Sequence, residues 1–480
     1  MDKFFYGRHV SRLASGADSR ESFISVILVA AIIFFATVAG VSLSIMQPAL
    51  NSPDEIYHWQ RAVQVSQGQI FADRQGGQNY GGKIDFAALE FAHWAKAHFD
   101  RSSAFSLSQV KRLSDDLQEK HGVSEASFPS SASFSPLAYL PPALGIAGAR
   151  TFGGGVLTQM IGGRIANVLI YLACIVAAMY LAPYGRRLLL LLALTAPSLH
   201  LAASVSGDPL NFALPAMLFA WCLRLRLDQS ATLSAQALTG LGLLLVSLSL
   251  LKPIYLLLAA IALLIPLRHF NGRRGQVIFL IVVFGAGLGL TLAWNFAYPF
   301  VPGRYWGTGA DPKLVLLDAL RSPLAALAYF CGSLTHQLPI MWLDAWGRIG
   351  GYPPPFMTNA PQTLSWVALV VTVALAAAEG QRHRDLSAAA FMLALAVLFT
   401  SIIFLAFWLA FSPPNAAVIQ GVQGRYFQIA FLLVGWSCVI AAPVGDMLRR
   451  LRLPLLCAGL ALQMACLFLA LDHFYFYWAN

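Results

Sequence analysis

Apolar residues in this chain come in long unbroken runs, with polar residues gathered into short intervals between them. Windows of about twenty apolar residues match the length of a membrane-crossing helix. The first spans Phe23 to Met46, and others recur near 164–182, 188–204, 210–227, 235–251, 253–267, 276–298, 362–379, 386–411, 426–444 and 453–471. The alternating pattern of a membrane β-barrel is absent, and only closed barrels and helices satisfy their backbone in lipid. The pattern therefore predicts an all-α polytopic protein with about eleven transmembrane helices. Residues 1–22 are expected to form a cytoplasmic tail and 23–480 a single transmembrane domain. Residues 47–163 are expected to form a first extracytoplasmic loop with interfacial helices, and 299–360 a late one. The proline-rich stretch SPLAYLPPALGIAGAR, about 135–150, reads as an interfacial helix, because a span there would invert every later loop.

Composition supports this reading. The 480 residues are 58% hydrophobic and 11% charged, with mean hydropathy +0.65. Soluble proteins carry about 25% charge. The net charge is +10, and its placement sets an orientation. With the N-terminus inside, inward loops hold Arg186 and Arg187, Arg224 and Arg226, Arg268, Arg273 and Arg274, Arg382 and Arg384, and Arg449, Arg450 and Arg452. That is the positive-inside pattern, expected of a bacterial cytoplasmic membrane protein with its working face outside. Arginines spread over many short loops exclude a nucleic-acid face. Five of the six cysteines, Cys331 apart, lie in apolar segments, none in a CxxC or zinc spacing, and they read as small hydrophobes.

In a chain this poor in charge, the stretch NSPDEIYHWQRAVQVSQG at 51–68 places two adjacent carboxylates at a membrane boundary. Ser52-Pro53-Asp54-Glu55 fits a capping box, with Ser52 as N-cap and Glu55 reaching back to its N–H. Capping explains Glu55 better than it explains the location, since carboxylates at a bilayer boundary are costly unless solvated, paired or functional. A second outward acid, Asp208 in SVSGDPLNFALP, reads alone as another N-cap before Pro209. Two carboxylates at one outer rim suit either a divalent cation such as Mg or Mn, held by Asp54 and Asp208, or a division into base and orienting group. His58, four residues after Asp54, shares its helix face.

Basic residues that interrupt outward positions are the complement: Lys252 in SLSLLKPIY, Arg425 in VQGRYF, Arg164 at the second span, and Arg304 and Arg348 in the late loop. Snorkelling explains each singly. Together they suit a phosphate or pyrophosphate, with Tyr255 and Tyr426 beside Lys252 and Arg425. Trp342, Asp344 and Trp346 in MWLDAWGRIGG form an aromatic cluster suited to stacking on a sugar or to a membrane interface. Nucleotide-activated groups are scarce outside the cytoplasmic membrane. Outward acids with phosphate-binding cations therefore fit sugar transfer from a polyprenyl-phosphate lipid. Asp54 would be the base, Glu55 the second choice, and Asp208 the orienting group.

The motifs SPDEIYHWQRAVQVSQGQ, SPLAYLPPALGIAGAR, GGRIANVLIYLA, SVSGDPLNFAL, LKPIY, WLDAWGRIGGYPPPF and VQGRYFQIAFLL, in this order, resemble the bacterial membrane-protein family of domain of unknown function 2142. That family in turn looks like the C-superfamily (GT-C) glycosyltransferases. The resemblance implies a GT-C-like fold, a catalytic acid at Asp54 in the first outer loop, a second acid at Asp208, and a polyprenyl-phosphate sugar donor. It also implies an acceptor that is a cell-envelope glycan, lipid or protein, with membrane lipids around the chain. FPSSASFSPLAY lacks the acid that often precedes the proline-tyrosine stretch in those enzymes, which counts against a two-acid metal site. The rival classes are a flippase for polyprenyl-linked glycans, expected to carry midplane charges and inverted repeats, and a non-catalytic envelope-assembly protein.

Overall fold

The computed structural model describes residues 16–77, 79–100, 106–229, 232–350, 357–359, 361–380, 384–442 and 445–479. The start of the expected tail, Arg382 and the GYPPPF part of the late loop lie outside these residues.

The chain begins with a long helix, α1 (Gly16–Met46), and a short one, α2 (Glu55–Ser66). A small antiparallel sheet follows, β1 (Asp73–Arg74), β2 (Tyr80–Asp85) and β3 (Val123–Ser127), in the order β1-β2-β3 with Gly81 opposite Ser127. Inserted between β2 and β3 are α3 (Phe86–Asp100) and α4 (Leu107–Gln118), the latter opened by a capping box between Ser106 and Gln109. After β3 come α5 (Pro129–Ala132), a 3₁₀ turn Pro136–Tyr139 and α6 (Leu140–Thr151). The first loop is thus a folded cap with a sheet, where only interfacial helices were expected. The signal was weak because YGGKID and VSEAS are short and polar.

The bundle continues with α7 (Val156–Leu181), α8 (Arg186–Ala193), α9 (Ala196–Ala202), α10 (Asp208–Leu227), α11 (Ala235–Leu251), a 3₁₀ run Pro253–Leu264 and α12 (Arg273–Ala297). Next are α13 (Pro302–Tyr305), α14 (Pro312–Arg321), α15 (Pro323–Gly347), α16 (Gln362–Ala378) and α17 (Leu386–Ala410). A 3₁₀ turn, Gly424–Phe427, leads into α18 (Gln428–Ala441), α19 (Asp446–Arg450) and α20 (Arg452–Ala479). The strands β4 (Arg348–Gly350) and β5 (Met357–Asn359) pair after α15.

The expected eleven spans are corrected to seven or eight. Seven described helical segments are long and apolar enough to cross a membrane: Ile27–Met46, Val156–Leu181, Asp208–Leu227, Arg273–Tyr305, Leu386–Ala410, Gly424–Ala441 and Arg452–Asp472. An eighth is counted if α14 and α15, bent by 119° at Ser322, form one span. Four apolar windows did not become long helices. Thr195 and Pro197 divide 188–204 into α8 and α9, Lys252-Pro253 ends α11 at Leu251, and α16 stops at 17 residues. Conversely, α15 lies inside the segment expected to be an outer loop, so 299–360 is largely helical.

Burial ranks the spans. In α10 67% of the most apolar window is buried, against 17% in Arg273–Tyr305, so α10 is a central strut and α12 turns its side chains outward. Close packing of α6 on α7 relies on absent side chains: a Cβ on Gly145 would sit 2.1 Å from the Gly162 carbonyl oxygen.

Candidate functional site

Four distant segments meet at the N-terminal end of α10. The first is the turn before α2. Pro53 and Asp54 occupy the centre of a tight turn closed by the Glu55 N–H donating to the Ser52 carbonyl at 3.0 Å. Asp54 is left-handed, at φ 60 and ψ 10. Left-handed backbone costs an ordinary residue about 1–2 kcal/mol, and Asp is one of the few that visit it. Helix α2 then starts at Glu55, later than the capping box implied. Half of that box forms: the Ser52 N–H donates to Glu55 Oε2 at 3.0 Å, while Ser52 Oγ faces His200 Nε2 at 3.3 Å.

Glu55 is fully buried and so is Arg164. Arg164 grips both carboxylate oxygens at 2.8 Å, and the Val205 N–H adds a third donor group at 2.8 Å. The remaining guanidinium donors reach the Ser44, Gln47 and Pro48 carbonyls at 3.3, 3.1 and 3.0 Å, which tie off the end of α1. Burial alone would push the Glu55 carboxyl up. The Arg164 charge and the donated hydrogen bonds outweigh that and hold it below its ordinary value. Glu55 is therefore a strut and not a second base, and Arg164 has no donor left for a phosphate.

The second segment is the start of α10. Asn167 holds the approach to it, donating to the Ser204 and Ser206 carbonyls at 2.7 and 2.8 Å. Asp208 is the first helical residue, following Gly207, and its side chain makes no cap. It instead accepts from Asn211 Nδ2 at 3.0 Å, Lys252 Nζ at 3.4 Å and Arg425 Nη1 at 3.1 Å. Lys252 supplies the third segment, where an extended residue separates α11 from the Pro253 run. It does not snorkel: its side chain is only 20% exposed, with Nζ 5.1 Å from the Tyr426 ring centre and 5.9 Å from that of Phe134.

The fourth segment is the turn Gly424–Phe427. Gly424 permits it to lie against α15, where a Cβ would meet the Met341 carbonyl oxygen and the Ala345 nitrogen at 2.5 Å. Arg425 is thereby aimed between the acids. Its Nη2 donates to Asp54 Oδ2 at 2.9 Å while Nη1 holds Asp208, and Tyr426 Oη lies 3.3 Å from Nη2. Asp208 and Arg425 are 14% and 10% exposed, but Asp54 is 45% exposed. The result is a part-buried ion cluster with one carboxylate, the more exposed Asp54, at its mouth. Leu201, Asn211, Tyr255 and Gln428 complete a recess of about 20 Å³ beside it, room for roughly one water.

His58 lies under this cluster with Nδ1 2.7 Å from Tyr139 Oη. Burial is the main reason its basicity is lowered, with Arg425 and Lys252 adding to the effect against Asp208 and Asp54. Tyr255 is buried and stacks on Phe399 at 5.8 Å. Trp346 is 2% exposed, and the half-buried Trp342 meets Phe431 edge-on at 4.2 Å. Arg348 pairs with Asp344 at 2.8 Å, and Arg304 lies 3.8 Å from Asp311. None of these four completes the cluster. Asn211 and Tyr139 were missed, although Asn211 follows Asp208 by three positions on one helix face.

The donor set does not fit a divalent ion. Arg425 stands between the two carboxylates, and no group of three His, Cys, Asp or Glu side chains that could hold a metal occurs among the described residues.

Fold and site together define a multi-pass helical membrane protein with a part-buried cluster of acids and bases beside a folded cap. The chain belongs to the family described as predicted membrane protein, DUF2142, whose match covers residues 34–434. No curated protein and no solved structure matches it.

Proposed function

We propose that this chain is a GT-C-type membrane glycosyltransferase that moves a sugar from a polyprenyl-phosphate donor to an extracytoplasmic acceptor. The observation that carries the reading is Arg425 joined at once to the half-exposed Asp54 and the part-buried Asp208. Acceptor oxygen attacks the anomeric carbon from the face opposite the leaving group, and the acceptor proton passes to Asp54. The bond from the anomeric carbon to the donor phosphate breaks, its electron pair leaves with the phosphate, and the sugar inverts. Arg425 and Lys252 meet the charge that builds there. The recess beside Asp208 is too small for a sugar phosphate, so donor phosphate must draw Arg425 from Asp54. That movement frees the base only when donor is present.

The orientation we propose draws support from the opposite end of the bundle, where Arg186, Arg187, Arg226, Arg449 and Arg452 gather. On the positive-inside rule, that arginine-rich end would face the bacterial cytoplasm and Asp54 the outside.

The test is incubation of the purified full chain with undecaprenyl-phosphate sugars and assay for released undecaprenyl phosphate. Release by the wild type that Arg425→Ala slows, with a raised KM for donor, supports the reading. Donor binding without release by any preparation moves the protein to the flippase class.

A further inference from the structure

A second charged site lies at the other end of α10. Leu227, the last residue of that helix, borders a cavity of about 610 Å³ lined by Arg186, Arg187, Arg449, Arg452, Glu379 and Asp385 among others. This volume is in the range of small-molecule sites.

The charges there do not balance. Glu379 is taken by Arg187 at 2.8 Å. Asp385 is taken by Arg226, whose Nε donates to it at 2.6 Å. Arg186 and Arg452 use Nε on the Ala182 and Ala378 carbonyls at 2.7 and 2.8 Å. Neither they nor Arg449 forms a salt bridge with a described carboxylate, although Glu379 attracts both Arg186 and Arg452 from farther off. Arg452 Nη2 donates to the Gly380 carbonyl at 3.3 Å, and the buried Nε of Arg449 has no partner. Arg186 and Arg187 open α8 and Arg452 opens α20. Helix N-termini carry partial positive charge, so these cations stand where the dipole opposes them. Three guanidinium groups and two helix N-termini around one cavity are unfavourable without an anion and favourable with one.

We propose that this cavity binds a phosphate ester through Arg186, Arg449 and Arg452, a site separate from the acid cluster and independent of the sugar-transfer reading. The phosphate comes either from the headgroup of an anionic lipid or from a soluble phosphate. Basic pockets between membrane helices suit the first, and Arg forks accept both.

The experiment compares wild type with Arg449→Gln and with Arg186→Gln/Arg449→Gln, full-length and purified, with Arg112→Gln as a surface control. One arm counts retained phosphatidylglycerol by native mass spectrometry and follows thermal unfolding in phosphatidylcholine nanodiscs with and without phosphatidylglycerol. The other follows thermal unfolding with inorganic phosphate and pyrophosphate. We expect binding to weaken about fivefold for each arginine removed. Arg449→Lys, which keeps the charge and loses the fork, should fall between, and this guards against misfolding of the double variant. Stabilisation by phosphatidylglycerol alone assigns a lipid headgroup, and stabilisation by the soluble anions assigns a free phosphate. No preference of wild type over the double variant for any of these probes overturns the proposal.

Discussion

The two ends of α10 handle charge in opposite ways. At its start, Asp208 and Asp54 face Lys252 and Arg425, each charge met by an opposite one, and only Asp54 reaches the surface. At its finish, arginines outnumber carboxylates around an open cavity. The helix has 20 residues, or about 30 Å at 1.5 Å per residue, so the ends are separated by roughly the hydrocarbon thickness. The difference teaches what burial permits. Charges enclosed by protein must be paired and hydrogen-bonded, whereas charges on an open basic cavity can remain in excess for a ligand. The closed end should therefore be brittle and the open end tolerant.

The largest effect is expected from Arg164→Leu, which strands Glu55 in the cap beside the closed end. Removing one partner of a buried pair costs about 3–5 kcal/mol, measured as loss of folded protein and a lowered thermal unfolding midpoint in detergent. The same pair predicts a pH dependence. Because the folded carboxyl titrates below its ordinary value, its stabilisation is complete above about pH 4.3. It is lost as pH falls through the lower folded value. Thermal unfolding of wild type should weaken over that window, and Glu55→Gln, less stable at neutral pH, should show a flatter profile.

Next comes Asp54→Asn, which keeps a residue suited to left-handed backbone. Sugar transfer is expected to fall at least about 100-fold with unfolding nearly unchanged, as read from single-turnover assays beside thermal scans. Arg425→Lys is expected to be milder than loss of the base. An ammonium cannot fork to both acids, so donor affinity should drop about tenfold in a lipid-binding assay. The smallest effect is expected at the open end. Arg449→Gln should leave thermal unfolding within about 0.5 kcal/mol of wild type without anionic lipid. A large loss there would erase the contrast between the two ends.

The acid cluster was partly legible in the chain. Lys252 stands out because it interrupts an apolar run, and Asp54, Asp208 and Arg425 because they are charges at the ends of apolar runs in a charge-poor chain; all four converge. What remained hidden is the sorting among neighbours. Glu55 beside Asp54 is a strut because Arg164, 109 positions away, fills the space behind the turn, and no local pattern carries that pairing. Trp346, suited by its pattern to a sugar face or a membrane interface, is 2% exposed with its ring 6.3 Å from that of Phe431 in α18, a neighbour the local sequence does not reveal. Membership in a membrane family was legible from ordered motifs, but span number was not. Hydropathy reports apolar environment, and a helix enclosed by other helices is as apolar as one that crosses lipid. The breaks at Pro197 and Pro253 were visible as residues, yet a proline alone does not reveal whether a helix kinks or stops.

The most direct test of the central claim is paired measurement of lipid binding and turnover for wild type and Asp54→Asn with one undecaprenyl-phosphate sugar. The account predicts that both proteins bind the lipid and that only wild type cleaves the bond between sugar and phosphate at an appreciable rate. Equal turnover by both proteins, or binding with no turnover by either, would contradict the assignment of Asp54 as the base of a sugar transferase.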